Sequence, residues 1–422
     1  MGGNVERAHF LDGLRGVAAV AVMLSHVEPL LVSSVTGNYA PAGITSYLFY
    51  VFTSGSLAVA IFFVISGYVL VASFAKNGGD VLAAGAVKRY FRLTPCIVTS
   101  MLLTYFVVNG IGYHALDAAA VMGGHGWLSL QAPGPLSFGQ AISSGFLAPF
   151  QGSNPHNGVL WTMNIEFLGS IGLFGFASLF YRSRIYYLCV GGGSLLSIYM
   201  LGVYGIHFSL FLFGSLLFKY RNFETKSAWI FLIPTGLFLG VLRPWHGTML
   251  ALQSWLGYGE ADSFQVQIAL NSIGGVLIVF AVVTTKFFHG ILSRRRFKYI
   301  GDISFSLYLV HLPIFFSIGC FLFVNFTWLG LHFAAFVGAL STVFVSLVVS
   351  HLMFKTSDKF SILLSNKIAA QFLMTYRHKS VTATDSSTIG GVAAVNASVQ
   401  AIVAYKGGTS TAEQGLLTPR ES

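Results

Sequence analysis

The sequence predicts an all-α polytopic membrane protein with about ten transmembrane helices. Three observations predict this fold class: the 422-residue chain is 55% hydrophobic, only 9% of its residues are charged, and its cations lie between long apolar runs. Soluble proteins usually carry about 25% charged residues. Because the cations lie between apolar runs, the formal net charge of +10 indicates positively charged cytoplasmic loops. Nucleic acid is therefore not an expected partner.

Ten segments are apolar enough to cross a hydrocarbon core of about 30 Å. The sixth and seventh are short for that thickness, and we expect thin, tilted or broken spans there. In chain order the segments are Leu11–Leu31, Leu48–Phe74, Leu93–Gly110, Val159–Tyr181, Ile185–Val203, Ile206–Phe218, Ala228–Leu242, Phe264–Thr285, Ile303–Val324 and Leu329–Phe354.

The loops between these segments carry an asymmetric charge. If the N-terminus is cytoplasmic, the outer loops hold a single strong cation, Arg243. The inner loops then hold Lys76, Lys88, Arg89, Arg92, Arg182, Arg184, Lys219, Arg221, Lys226, Lys286, Arg294, Arg295, Arg296 and Lys298. Because cytoplasmic loops are enriched in Lys and Arg, this pattern predicts that both termini are cytoplasmic and that the number of spans is even.

Two of the outer loops, 111–158 and 243–263, are long enough to form structure of their own. Both mix Trp, Tyr and His with amides or carboxylates, a composition that suits a sugar-like ligand or, alternatively, an interfacial aromatic belt. Residues 1–377 are predicted to form the membrane domain. Residues 378–422 are rich in Ser, Thr, Ala and Gly and are predicted to be a disordered cytoplasmic tail.

Arg15 and His26 are two ionisable residues within the first apolar helix. Eleven residues at about 100° each come within about 20° of three full turns, so both side chains lie on one helical stripe about 16 Å apart. Ionisable groups at membrane depth usually face a protein interior or a water-filled path. The stripe indicates a polar track, or else a snorkelling Arg at the membrane end and a hydrogen-bonded core His.

Further candidate residues lie in three other segments. Glu166 is a carboxylate inside the fourth span that could orient an imidazole or act as structural glue between helices. Lys88, Arg89 and Arg92 open the third span, either as phosphate ligands or as an ordinary positive-inside cluster. In the segment 301–311, Asp302 is predicted to cap the start of the ninth span, and the buried polar side chains Tyr308 and His311 need partners.

The motifs in this chain resemble those of the membrane-bound acyltransferase 3 family, over about residues 7–355. Arg15 and His26 resemble its Arg-x10-His signature, and the run ending at Ser66-Gly67-Tyr68 resembles its FFxxSGF run. Lys88–Pro95 resembles its RRxxRIxP entry to the third helix. Leu160–Glu166 resembles its LWSLxxE run, apart from Asn164 and Ile165, and Gly301–His311 resembles its GxxSYxLYLxH run.

The resemblance implies an O-acyltransferase that moves an acyl group, most simply acetyl, from cytoplasmic acyl-CoA to a carbohydrate or glycoconjugate hydroxyl. His26 would be catalytic, as a general base or an acyl carrier, with Glu166 in a supporting catalytic role. The implied ligands of the donor and acceptor are Arg15, Lys88, Arg89, Arg92, Ser66, Trp161, Tyr308 and His311. A bacterial inner membrane is the location that the family implies.

Two other functions compete with this reading. A transporter or flippase would use the same polar track without chemistry, although the sequence shows no internal repeat of the kind expected for many transporters. A sensory or scaffold protein would tolerate loss of Arg15 and His26. No metal cofactor is predicted, because Cys96, Cys189 and Cys320 lie in or beside apolar stretches and lack metal-ligand spacing.

Overall fold

Every regular element that the structure describes is a helix. The computed structural model describes residues 8–36, 49–77, 81–124, 126–244, 247–257, 259 and 262–373. The predicted tail, residues 378–422, lies outside them. The α-helices are α1 (His9–Thr36), α2 (Gly55–Asn77), α3 (Val81–Gly110), α4 (Ala115–Val121), α5 (Phe138–Leu147), α6 (Trp161–Phe180), α7 (Tyr186–Leu201), α8 (Val203–Lys219), α9 (Trp229–Val241), α10 (Gly247–Leu256), α11 (Ser263–Thr284), α12 (Lys286–Leu292), α13 (Arg295–Ile314), α14 (Cys320–Asn325) and α15 (Leu331–Met353).

Seven helices of the described ranges are long and apolar enough to cross a membrane, and three shorter apolar helices accompany them. The seven are His9–Val32, Phe49–Lys76, Ala84–Gly110, Gly158–Phe180, Ser263–Thr284, Arg295–Asn325 and Leu331–Leu373, and the three are α7, α8 and α9. They follow the ten predicted segments in order. The all-α, multi-pass membrane fold is therefore confirmed, while the count of ten spans and the orientation of the termini stay predictions.

Helix boundaries differ from the prediction at three places. The fifth segment is also short, because α7 ends at Leu201 and Gly202 turns the chain with a φ of 55°. The third and ninth spans begin earlier, at Val81 and Arg295. The prediction that Asp302 caps a helix was wrong, because α13 begins seven residues before it. Apolar periodicity predicts only the part of a helix that lies in the membrane core. The helix itself can continue beyond that part, because Lys and Arg are good helix formers.

The first helix contacts four other helices of the bundle. It packs against α2, α12, α13 and α15, and glycines permit its close approach to α13. A Cβ atom at Gly301 would overlap the carbonyl oxygen of Asp12, and one at Gly16 would lie 2.6 Å from the backbone nitrogen of Gly301. Because the two backbones nearly touch here, side chains further along both helices come within hydrogen-bond distance of each other.

Replacing Gly301 with alanine is expected to separate α1 from α13 and to lower the stability of the protein by about 1–3 kcal/mol, the usual cost of overpacking. The matched control is Gly172→Ala in α6, where an added Cβ meets no atom within 4 Å. Thermal unfolding in detergent, followed by tryptophan fluorescence, measures both variants. Equal midpoints for the two would show that the close approach at Gly301 does not hold the helices in place.

The segment predicted to be an outer loop, 111–158, enters the helical bundle. Its helix α5 begins with a capping box between Ser137 and Gln140 and runs antiparallel along α3. Asn109 binds the Leu136 carbonyl oxygen near the start of this contact, and the far end of α5 places Gly145 against Val98. Eleven residues of α3 separate these two levels, so the segment descends about 16 Å.

After α5 the chain returns along the bundle. Polar side chains bind the backbone groups of this return, because backbone polar groups at membrane depth need hydrogen-bond partners. Asn164 donates to the carbonyl oxygen of Pro149 over 3.2 Å. Asn154 accepts from two backbone amides of the return, and Asn157 donates to the Leu309 carbonyl oxygen over 3.0 Å. Asn164 is one of the two departures from the family motif noted above, and its contact gives that departure a structural role.

The C-terminal end of α13 is reshaped around Pro313. A π-helical turn, Phe315–Gly319, follows the proline, which cannot donate a backbone hydrogen bond. The backbone amide of His114 donates to the carbonyl oxygen of Phe316 over 2.8 Å, and the indole of Trp127 packs on the Phe316 ring with centroids 5.3 Å apart. The segment after α3 is thereby fixed above the end of α13.

Candidate active site

Two histidines meet where α1 and α13 cross. The Nε2 atom of His311 lies 3.2 Å from the Nδ1 atom of His26, with the ring centroids 4.9 Å apart. His311 is completely buried, and His26 is half-buried. The indole of Trp127 covers the other side of His26 at a centroid distance of 5.3 Å. The sequence predicted each histidine separately, and the structure brings them together.

Backbone carbonyls assign the proton on each ring. His26 Nδ1 lies 2.8 Å from the Val22 carbonyl oxygen, and His311 Nδ1 lies 3.0 Å from that of Leu307. A carbonyl oxygen only accepts, so both Nδ1 atoms carry a hydrogen. The Nδ1–H of His26 is then shared between Val22 and the unprotonated Nε2 of His311. The remaining ring nitrogen, His26 Nε2, has a free lone pair for use as a base.

His26 lines a cavity of about 480 Å³ at one end of the bundle. Pockets for small ligands usually range from about 300 to 1,000 Å³, and this volume falls within that range. Seven of its lining residues carry aromatic or charged groups: His26, Glu28, Trp127, Trp161, His207, Arg243 and Phe264. The guanidinium of Arg243 lies 3.7 Å from the Glu28 carboxylate and donates to the Thr53 carbonyl oxygen.

Tyr308 and Trp161 support the histidine pair from neighbouring helices. The Tyr308 ring is 5.9 Å from the His311 ring, and its hydroxyl lies 3.0 Å from that of Thr162. Trp161 is at the start of α6 and reaches the cavity. These contacts place both predicted residues beside the pair, Tyr308 behind His311 and Trp161 in the cavity wall.

A second polar cluster of the bundle is formed around Ser66 and Glu166. Ser66 donates to the Glu166 carboxylate over 2.8 Å, and the Arg89 guanidinium lies 3.3 Å from the same oxygen. The side chains of Arg89 and Glu166 are only 20% and 13% exposed. Glu166 therefore neutralises a buried arginine.

The prediction that Glu166 orients an imidazole is thus corrected. Among the described residues, the polar contacts of His26 are Val22 and His311, and it is His311 that orients the ring. Trp161 reaches the cavity that holds His26, whereas Glu166 follows five residues later, about 7.5 Å further along α6. The carboxylate therefore lies at a different depth from the imidazole.

The remaining predicted cations surround this second cluster. Arg92 forms an ion pair with Asp358 at 2.6 Å and donates to Ser361 over 2.8 Å. Arg15 and Arg92 both lie within electrostatic range of Arg89, and Lys88 lies within range of Arg89 and Arg92. The cluster gathers cations from the N-terminal parts of α1 and α3, and two of them, Arg89 and Arg92, already have carboxylate partners.

Several residues of these two sites, including Trp127, were not among the predicted site residues. Asp358 follows the last predicted span, which ends at Phe354. It was missed because the prediction did not extend that helix beyond Phe354. Arg243 was noted as the single outer cation, but its pairing with Glu28 was not predicted. His207 lies in a short apolar helix, where a lone histidine resembles a core residue. Among the described residues, no group of three His, Cys, Asp or Glu side chains is placed to hold a metal ion.

Comparison with known proteins gives the same family as the sequence motifs. Residues 8–351 match the family model described as an acyltransferase domain. An O-acetyl transferase of Shigella phage Sf6 is 31% identical over 172 residues, which is 39% of this chain and 44% of that protein. The match thus spans less than half of the relative. No solved structure matches the chain. Because the family model covers more than half of the sequence, the chain belongs to the acyltransferase 3 family of transferase enzymes.

Proposed function

We propose that the protein is an integral membrane O-acetyltransferase that moves an acetyl group from cytoplasmic acetyl-CoA to a carbohydrate hydroxyl. The observation that carries this proposal is the His26–His311 pair in the wall of the cavity. An imidazole with a free Nε2 lone pair and a fixed Nδ1–H is a general base at neutral pH. Membership of an acyltransferase family supports the reaction class.

The reaction needs one proton transfer to His26 and one proton transfer from it. His26 Nε2 takes the proton of the acceptor hydroxyl while the oxygen attacks the thioester carbonyl carbon. The positive charge that forms on His26 is stabilised through its Nδ1–H by Val22 and by the His311 lone pair. When the carbon–sulfur bond breaks, the imidazolium returns its proton to the departing thiolate. Products are an acetyl ester and free CoA.

Donor and acceptor would approach from opposite ends of α1. Arg15 lies eleven residues before His26, about 16 Å along the helix, within electrostatic range of Arg89. Arginine binds phosphate oxygens in a bidentate manner, and this cation cluster suits the phosphates of a CoA donor. To bind them, Arg89 and Arg92 must share their charge between the donor and their carboxylate partners, Glu166 and Asp358.

The composition of the cavity supports a carbohydrate acceptor. Trp127 and Trp161 both line it, and indole rings pack well against the apolar faces of sugars while their N–H groups remain available for hydrogen bonds. Glu28, His207 and Arg243 add polar groups to the wall. The bilayer is the other expected partner, and a bacterial inner membrane is the proposed location.

Product formation separates this function from transport. Purified protein in lipid vesicles, given acetyl-CoA labelled in the acetyl group and a panel of methyl glycosides, is expected to release labelled acetyl esters. A transporter or flippase would move label or glycoside across the vesicle membrane and form no ester. Free CoA without an ester product would indicate hydrolysis and would contradict the proposed acceptor.

The topology that this function needs has both termini in the cytoplasm. In a variant lacking the half-buried Cys189, Ala132→Cys is expected to react with an impermeant thiol reagent added outside intact cells, and Arg295→Cys is not. Both positions are exposed on the described surface, and the other two cysteines, Cys96 and Cys320, are buried. Labelling of Arg295→Cys alone would reverse the orientation.

A further inference from the structure

His207 is a second histidine of the cavity that neither the family motifs nor the proposed reaction uses. It extends from α8, lines the same cavity as His26 and is 6% exposed. Its ring lies between two aromatic rings, 5.2 Å from that of Trp161 and 5.5 Å from that of Phe63. The Trp161 ring is tilted by 48° to the imidazole and the Phe63 ring meets it edge-on at 61°, so both contacts restrict the orientation of His207.

This imidazole has no hydrogen-bond partner among the residues that the structure describes, and its Nδ1 atom is buried. Three other histidines of the bundle differ in this respect. His26, His289 and His311 each bind a backbone carbonyl oxygen. Buried polar groups are almost always hydrogen-bonded, so one that is not needs an explanation. Because Nδ1 is closed off, a ligand in the cavity would bind the imidazole through its other nitrogen, Nε2.

We propose that His207 is an acceptor-binding residue, which hydrogen-bonds a second polar group of the carbohydrate whose reacting hydroxyl lies at His26. The proposal rests on the proposed function for the identity of the acceptor. Trp161 connects the two roles, because it touches His207 and lines the cavity. A sugar packed in this cavity would be held at two points, which selects both the sugar and the hydroxyl that reacts.

Two-point binding explains how a cavity with one base could acetylate one hydroxyl among several. A pyranose carries hydroxyls of similar reactivity around its ring. A single contact at His26 would admit several of them, whereas a second contact at His207 admits only those orientations in which both groups are satisfied. A site built to hydrogen-bond a substrate group discriminates strongly against analogues that lack it.

Three substitutions test this role. His207→Phe keeps an aromatic ring between Trp161 and Phe63 but removes both nitrogens, His207→Gln restores a hydrogen-bonding group, and His332→Phe changes an exposed histidine outside the cavity. The probes are the methyl glycosides of glucose, galactose, mannose and N-acetylglucosamine. Binding is measured by tryptophan fluorescence, and the KM values for glycoside and acetyl-CoA are measured separately.

We expect His207→Phe to weaken glycoside binding about tenfold, equivalent to 1.4 kcal/mol, and to raise the KM for glycoside while the KM for acetyl-CoA stays unchanged. His207→Gln should recover most of the binding, and the product of His207→Phe should carry acetyl on a wider set of hydroxyls. Equal glycoside affinity in wild type and His207→Phe would overturn the proposal, and so would a wild type that binds none of the four probes.

A measurement on the wild type covers the case in which a variant fails to fold. Bound glycoside is expected to slow the modification of His207 by diethyl pyrocarbonate, mapped by mass spectrometry, with no change at His332. Absence of protection at His207 in a protein that binds glycoside would contradict the proposal. Failure of the proposed reaction is read separately, as loss of acetyl transfer from acetyl-CoA in the wild type, since binding and protection do not require turnover.

Discussion

Replacement of His26 with alanine is expected to lower kcat for acetyl transfer by about 10²- to 10⁴-fold, the range for loss of a general base. The KM for acetyl-CoA should change little, because the proposed donor site lies about 16 Å away along α1. Steady-state kinetics with labelled acetyl-CoA in vesicles measures both quantities. His332→Ala, which alters an exposed histidine of α15, is the control and should keep wild-type rates.

His311 should share this effect in a specific way. His311→Ala removes the lone pair that stabilises the His26 imidazolium, so kcat should fall, and His311→Gln should restore part of it if the amide oxygen accepts from His26 Nδ1. The double variant should lose little more than His26→Ala alone, because residues that act as one unit are not additive. Losses that simply multiply in the double variant would show that the two histidines act independently.

The second large effect is expected at the buried ion pair of Arg89 and Glu166. Removing one partner of a fully buried pair leaves an uncompensated charge and typically costs about 3–5 kcal/mol, and the cost should be smaller for this pair, whose side chains are 20% and 13% exposed. Arg89→Ala should therefore unfold well below the wild type, and Arg89→Ala combined with Glu166→Ala should recover much of the lost stability. Thermal unfolding in detergent measures this recovery.

Donor kinetics in the same variants separate structure from binding. If Arg89 also binds donor phosphates, the double variant regains stability while its KM for acetyl-CoA stays high. Lys76→Ala is a control for loss of a single cation outside the cluster, since Lys76 is exposed at the end of α2. A double variant with wild-type stability and wild-type KM would mean that Arg89 only pairs with Glu166.

Sequence periodicity predicted those features of the protein that depend on a single helix. The stripe of Arg15 and His26 follows from 3.6 residues per turn and needs no knowledge of neighbouring helices. The partner of His26 could not be obtained in this way, because His311 is 285 residues further along the chain. Glu166 was predicted instead, since a carboxylate is the familiar partner of a catalytic imidazole, and only packing shows that the carboxylate lies at another depth.

Hydropathy likewise predicted the long helices and missed the short ones that complete the site. The ten residues of α5 are too few to register as a span, and their polar first turn resembles a solvated loop. Asp358 was missed because the last apolar segment ends before it, although the helix continues. His207 was missed because an unpaired imidazole is visible only once its neighbours are known.

The descent of α5 along α3 has a consequence for how the protein is assembled. A ten-residue helix covers about 15 Å, half of the hydrocarbon core, and cannot be inserted by its own hydrophobicity. Its return requires Asn164 of α6 to bind the Pro149 carbonyl, and α6 is synthesised after α5. We therefore expect the segment to take its place in the bundle only after α6 has entered the bilayer, as a late step in biogenesis.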